Sequence, residues 1–282
     1  MEVHVFIQRA KAYLNLIKLE YVLQRSTPNM EEGVDGLSKI KAVLFDFIGT
    51  LVNVKGYSLE VSKIKLYRAI VDAGFKVNQK DFLDAYAQAH EKYRVERYQK
   101  LVEVTNAVWI SEALNNLGFE TKPDDSRVKT AVNVFFEDYV DSFRLRKCAK
   151  KVLRMLSESY KLGLVSNFTY APVIYAGLRK VGIDSFFNVV LVSDAVGWRK
   201  PHMKIFEEAL KRLEVKAEET LYVGDSPDED IKGAKGLGMK TVFVASQFFS
   251  LKKLLESGQQ PDAIARNLCE AERKIQELIA LS

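Results

Sequence analysis

Cysteine, histidine and proline are scarce in this chain of 282 residues, with two, three and six copies respectively. The two cysteines, Cys148 and Cys269, stand far apart, and no Cys/His spacing suits zinc. Neither a disulfide framework nor a metal finger is therefore expected, and unpaired thiols point to a reducing, cytoplasmic setting. Long apolar runs are missing as well: each is far shorter than the ~20 residues that a membrane-spanning helix needs. The opening segment MEVHVFIQRAKAYLNLIKLEYVLQ carries charges throughout where a secretion signal has an apolar core, so neither export nor a membrane partner is expected. Nor does charge of one sign dominate. The 42 Lys and Arg are interleaved with 37 Asp and Glu for a net +5, and with no nucleic-acid-binding motif beside it this excess predicts a mixed, solvated surface without a nucleic-acid partner.

What is present suits a globular protein, with 48% hydrophobic and 28% charged residues in a chain long enough for one large domain or two smaller ones. Val5, Ala12, Leu16, Leu19 and Leu23 recur at helical spacing, and RSTPNMEEGVDGLS then reads as a linker. Residues 1–39 are thus expected to be a helical extension that packs on the body, mediates self-association, or precedes a start at Met30. A strand follows at 41–46. Helical segments come next, with start signals at Ser58, at Asn78 or Asp81 (running through FLDAYAQAHEKYRVERYQKL), at Thr105, and in SRVKTAVNVFFEDYVDSF. From Lys147 onward, helices alternate with KLGLVS, NVVLVS, TLYVGD, KTVFVA and a weaker DAIA. This alternation predicts an α/β fold, a parallel sheet wrapped by helices, with the helical block inserted after its first strand.

In such a sheet, ligands bind beyond the carboxyl ends of the strands. The polar residues there are Asp46, Ser166 with Asn167, Asp194, and Gly224 with Asp225. Taken in order, VLFDFIGTL, LGLVSN, RKPHMKIF and YVGDSPDEDIKGAKGLGM resemble the four motifs of the haloacid dehalogenase superfamily of hydrolases. The resemblance covers about residues 40–282. It implies a doubly wound, Rossmann-like core from residues 40–56 and 145–282, with an all-helical cap at 57–144. It makes Asp46 the nucleophile, Ser166 a hydrogen-bonding partner of the transferred group, and Lys200 the neutraliser of charge on both. Thr50 and Asn167 would contact substrate. Mg²⁺ would be held by Asp46, Asp225, Asp230 and the backbone carbonyl of Ile48. The expected reaction is hydrolysis of a small phosphorylated metabolite, such as a sugar phosphate or a triose phosphate, through an aspartyl-phosphate. A carboxylate nucleophile and a phosphate dianion repel one another, so a cation and a lysine are chemically required.

Plainer readings exist for several of these residues. Acids at 225–230 would stabilise the start of a helix without any metal. His202 reads as a helix-start residue, His90 as an exposed position on a polar helix face, and Trp109, Phe135 and Phe136 as cap core.

The departure from the pattern is Ile48. Phosphatases of this superfamily mostly carry an aspartate there, which protonates the leaving alkoxide and then activates water, and such help contributes typically ~10² to 10⁴-fold. Three readings follow. The chain is a phosphatase that takes its proton from Tyr57, His90, Glu91 or Tyr93 of the cap, or that acts on an ester whose leaving group needs none. Alternatively it is a 2-haloacid dehalogenase-like hydrolase, a branch that lacks the second aspartate and uses no metal. The last reading is a non-catalytic relative that binds a ligand or partner.

Overall fold

The run Ala42–Phe45, four apolar residues in succession, is buried along its whole length and forms strand β1. A computed structural model describes residues 39–282, and the expected N-terminal helix and linker lie outside them. After β1 the chain turns at Gly49 into β2 (Val52–Val54), which pairs antiparallel with β3 (Phe143–Leu145). Between these two short strands lie five helices: α1 (Leu59–Asp72), α2 (Gln79–Lys92), α3 (Arg94–Tyr98), α4 (Asn106–Asn116) and α5 (Ser126–Ser142). The side chains of Ser58, Asn78 and Asp125 accept the N–H groups of Val61, Asp81 and Arg127 at the starts of α1, α2 and α5. Caps of this kind are worth about 1 kcal/mol each. Thr105 precedes α4 without a side-chain cap.

The long helix expected from Asn78 or Asp81 onward breaks at Tyr93 into α2 and α3. The break turns Arg97 inward, where its Nε donates to Glu103 Oε1 at 2.9 Å. The core of this helical insert is built from Trp109, Phe135 and Phe136 among others, all buried.

The chain then alternates as expected through α6 (Ala149–Ser157), β4 (Lys161–Ser166), α7 (Ala171–Val181), β5 (Val189–Val192), the single turn α8 (Ser193–Val196) and α9 (Met203–Leu213). It continues with β6 (Thr220–Gly224), a π-type turn over Pro227–Ile231, α10 (Lys232–Gly236), β7 (Lys240–Val244), α11 (Leu251–Ser257), β8 (Ala263–Ala265) and α12 (Leu268–Ala280). Six strands form one parallel sheet in the order β5-β4-β1-β6-β7-β8, so the path reverses about β1. Alternate residues of β1 feed the two faces: Val43 and Phe45 join the layer with α6, α7 and α12, and Ala42 and Leu44 join that of α9. Helices on both faces bury every strand twice, which is why these strands read as unbroken apolar runs.

The cysteine expectation fails. Cys148, just before α6, and Cys269, in the first turn of α12, are joined by a disulfide with Cα atoms 5.2 Å apart. Sequence separation gave no sign of it, because α6 and α12 come together only in three dimensions. Among the described residues, no helix is long and apolar enough to cross a membrane.

Candidate active site

Three parallel strands end side by side, and each delivers one polar group to the same edge. Asp46 follows β1, Ser166 closes β4, and Asp225 follows β6. Asp230 returns to that edge from the π-type turn, which Ser226 starts by accepting the Glu229 N–H. Single π turns inside helical segments recur at functional sites. Lys200 arrives from the segment between α8 and α9, directly before Pro201, with its side chain 1% exposed.

The carboxylates of Asp46, Asp225 and Asp230 lie within 4.8 Å of one another, all buried. Lys200 Nζ donates to Asp46 Oδ1 at 2.9 Å, Asp230 Oδ1 at 2.7 Å, the Val165 carbonyl at 2.8 Å and the Tyr222 hydroxyl at 3.1 Å. Asp230 is saturated: Oδ1 also accepts from Tyr222 at 3.0 Å, and Oδ2 accepts the N–H groups of Asp225 and Ser226 at 3.1 and 2.9 Å. Asp46 differs, because its Oδ2 is buried and has no hydrogen-bond partner. Such an orphan is costly unless something unseen completes it.

Burial pushes the Asp46 carboxyl up to about 6, although Lys200 pulls against that shift. Burial, reinforced by Asp46 and Asp230, holds Asp225 well above the usual carboxylate range. For Lys200, burial alone would favour the neutral amine, but Asp230 and Asp46 more than offset it and keep the ammonium. One lysine faces three acids. A buried orphan oxygen and surplus negative charge are the donor set that a hard divalent cation fits, so these residues could hold a metal ion.

Close packing at the site depends on two glycines. Gly49 has φ +101°, and a Cβ there would lie 2.1 Å from Asp225 Oδ2. A Cβ on Gly224 would lie 2.4 Å from Asp230 Oδ2.

The other expected site residues divide. Ser166 and Ile48 line the cavity that opens over Asp46. Thr50, expected to contact substrate, is fully buried behind the carboxylates and aims Oγ1 at Asp225 Oδ1, 3.4 Å away. Asn167 lines the cavity, but its amide is already engaged: Nδ2 donates to the Lys200 carbonyl at 3.0 Å and Oδ1 accepts the Lys200 N–H at 2.8 Å. It positions the lysine. Asp194 turns away from the site and accepts the Ala171 N–H at 2.6 Å, at the start of α7. His202 caps α9 by accepting the Lys204 N–H. His90 is half-buried against Trp109 and lines the cavity, so the exposed position expected for it is not found. Tyr57 and Glu91 line it too. Tyr93 instead donates to Glu112 away from it.

Several residues of the site escaped the sequence reading. Ser246 donates to Asp225 Oδ2 at 2.5 Å; it follows β7, so the rule of inspecting polar residues at strand ends would have found it. Tyr222 was hidden as an apolar strand residue. Arg146 donates to the carbonyls of Gly49, Thr50 and Ala245, tying the loop after β1 to the end of β7. Nothing in its local sequence signals that role.

The cavity, about 1340 Å³, lies between the sheet edge and the helical insert. Its walls carry Asp46 and Asp225 on one side and Tyr57, His90, Arg97 and Trp109 on the other.

The family model described as haloacid dehalogenase-like hydrolase matches residues 40–238. The glyceraldehyde 3-phosphate phosphatase of Methanothermobacter thermautotrophicus is 32% identical over 213 residues, covering 74% of this chain and 87% of that protein. The enzyme of the same name from Methanocaldococcus jannaschii is 29% identical over 204 residues, covering 72% and 84%. Among solved structures, a 2-haloacid dehalogenase from Pseudomonas syringae pv. Tomato DC3000 superposes with a TM-score of 0.62 over 85% of this chain and 99% of that one at 21% identity, a likeness of fold.

Proposed function

The chain belongs to the haloacid dehalogenase-like hydrolase family, and from that premise we propose that it hydrolyses the phosphate ester of a small metabolite through an aspartyl-phosphate on Asp46. The observation that carries this reading is the partnerless, buried Oδ2 of Asp46, set at the cavity with its other oxygen on Lys200. A carboxylate oxygen of Asp46 attacks phosphorus, the bond from phosphorus to the ester oxygen breaks, and the leaving alkoxide takes a proton from a cavity group of the insert such as Tyr57 or from water. Water then opens the aspartyl ester and releases phosphate.

Lys200 holds Asp46 in line and spreads positive charge toward the transferred group. Asn167 and Asp230 hold Lys200. Ser166, at the tip of β4, hydrogen-bonds a phosphoryl oxygen. Asp46, Asp225 and the Ile48 carbonyl are the groups we assign to the cation, which we propose is Mg²⁺; Asp230, already occupied by four donors, serves Lys200 instead. When bound, that cation offsets the repulsion between the nucleophile and a phosphate dianion. Residues 57–144, the five helices between β2 and β3, act as a cap that chooses the substrate and excludes water. The names of the relatives make three-carbon phosphate esters the first class to try.

An intracellular setting remains our proposal. The disulfide suits it in organisms whose intracellular proteins carry such bridges.

The test is release of phosphate from p-nitrophenyl phosphate and small esters, with Mg²⁺ or with EDTA. Turnover that needs Mg²⁺ and vanishes in Asp46→Asn supports the reading. Chloride release from 2-chloropropionate that EDTA does not touch, with no phosphatase activity, would overturn it in favour of dehalogenation.

A further inference from the structure

Opposite the carboxylates, the helical insert carries a guanidinium, Arg97, whose one acidic partner is shared with a second arginine. Glu103, whose side chain is completely buried, is shared by two guanidinium groups: Oε1 accepts Arg97 Nε at 2.9 Å and Oε2 accepts Arg199 Nη1 at 2.7 Å. The remaining acceptor positions of Glu103 are filled by the Val104 N–H and the Ser193 hydroxyl. Arg199 has a second acid, Glu229, at 3.5 Å. Arg97 has none. Among the described residues its terminal nitrogens have no hydrogen-bond partner, yet the residue is only 7% exposed and lines the cavity. The other acids on the insert's cavity wall are engaged elsewhere, Glu60 with Lys63, Asp84 with Lys80 and Glu91 with Arg94.

The arginine is also held rigidly. Its Cζ lies 5.2 Å from the Trp109 ring centroid and 5.3 Å from that of Tyr98. Trp109 is itself 2% exposed, and its Nε1–H makes no well-formed hydrogen bond, the Tyr86 hydroxyl beside it being only loosely engaged. His90 packs edge-on against that indole, ring centroids 5.0 Å apart. Burial, with the Arg97 charge beside it, holds this imidazole below its ordinary value, which favours its neutral form, so it does not compete with Arg97 as a second cation. A guanidinium edge that faces the cavity without a protein partner, beside an indole N–H with no well-formed hydrogen bond, matches a carboxylate or a phosphate, both of which accept from the guanidinium fork in two parallel bonds. A hydroxyl or carbonyl oxygen leaves the charge unbalanced.

We propose that Arg97 and Trp109 form a second anion subsite, which selects phosphate esters carrying another carboxylate or phosphate group at the end away from the scissile bond. This rests on the phosphatase reading for its kinetic test and is independent of it for its binding test. The carboxylate of such a substrate lies against the insert while its phosphate meets Asp46, so recognition spans the cavity and needs both walls in place.

The experiment uses the full chain with Mg²⁺. 3-Phosphoglycerate and glycerol 3-phosphate differ only in a carboxylate against a hydroxymethyl group, and propane-1,3-diol bisphosphate separates a second phosphate from a carboxylate. The wild-type kcat/KM should favour at least one of the doubly anionic esters over glycerol 3-phosphate by roughly 10- to 100-fold, the range of a hydrogen-bonded charge. Arg97→Gln should collapse that ratio toward one, and Trp109→Phe, which keeps most of the ring, should reduce it by a few fold. No preference in the wild type, or equal losses on all three esters in Arg97→Gln, overturns the proposal.

Calorimetric titration of two inert ligands, 3-phosphonopropionate and propylphosphonate, decides the subsite even if no ester is hydrolysed. Binding of the first that is at least tenfold tighter supports it, and equal or absent binding overturns it. Should the Arg97→Gln protein prove unstable, the wild-type comparison and Trp109→Phe decide between the two outcomes.

Discussion

Lys200→Met would leave the three carboxylates of the site without their only ammonium. The side chain is 1% exposed and donates to Asp46 at 2.9 Å, Asp230 at 2.7 Å and the Val165 carbonyl at 2.8 Å. Methionine nearly conserves the volume, so packing contributes little to the change. Breaking a buried ion pair from one side costs about 3–5 kcal/mol, because the other charge stays behind. Asp225, already held well above the usual carboxylate range by burial and its neighbours, gives no relief. At about 2–4 °C per kcal/mol for a protein of this size, Tm in EDTA should fall by roughly 6–20 °C. Thermal unfolding followed by circular dichroism measures it. Adding Mg²⁺ should restore part of the loss, and Lys200→Met combined with Asp230→Asn should be less damaged than the sum of the two single changes. A variant melting within about 2 °C of wild type in EDTA would refute the argument, since no lysine buried against two acids can be removed so cheaply.

Three further outcomes test other parts of the structure. Ile48→Asp should raise kcat on an alkyl phosphate by roughly 10²-fold or more and far less on p-nitrophenyl phosphate, whose leaving group needs little protonation; equal gains on both would mean that the new carboxylate is not delivering a proton. Gly49→Ala meets a φ of +101° and a Cβ only 2.1 Å from Asp225 Oδ2, so it should abolish both activity and any Mg²⁺-dependent rise in Tm, and a variant retaining half its activity would contradict the close approach. Reducing the Cys148–Cys269 bridge opens a loop with a sequence separation of 121. Loop entropy sets its stabilisation at about 5 kcal/mol at most, so dithiothreitol should lower Tm by several degrees, and peptide mass mapping without reductant should recover the linked pair.

The strands of the sheet could be read directly, because parallel strands buried on both faces must be nearly continuous apolar runs, and KLGLVS is β4 residue for residue. Asp46, Ser166 and Asp225 were legible for the same reason: polar groups terminating such runs have only the sheet edge to occupy. Lys200, in an irregular segment, became visible only through the motif around it. What stayed hidden depended on contacts between distant segments. Arg146 reaches carbonyls at positions 49, 50 and 245, and Cys148 finds Cys269. Thr50 and Asn167 illustrate a different limit. Their polarity was visible, but whether a hydroxyl or amide faces substrate or a neighbouring group depends on rotation about one side chain.

Ile48 and Arg97 line the same cavity from its two walls. Val102 of the insert bridges antiparallel to Trp198, the Glu103 N–H donates to the Gly197 carbonyl at 2.9 Å, and the Arg199 N–H donates to the Leu101 carbonyl at 2.9 Å. The insert is therefore joined by a single antiparallel bridge to the segment that ends in Lys200. Moving the helices away from the sheet breaks those two backbone bonds and brings Glu103 into water, separating it from at least one of its two arginines. Each loss is modest in water and larger where water is excluded. A substrate anion gripped by Arg97 pulls in the opposite direction, because it adds a charge-assisted contact available only with the insert in place. Ligand recognition on one wall is thus tied through Glu103 and Arg199 to the backbone that carries the lysine on the other. A site without an aspartate at position 48 has the more reason for such a tie, since a proton donor offered by the insert, such as Tyr57, His90 or Glu91, reaches the leaving oxygen only while the two walls stay together.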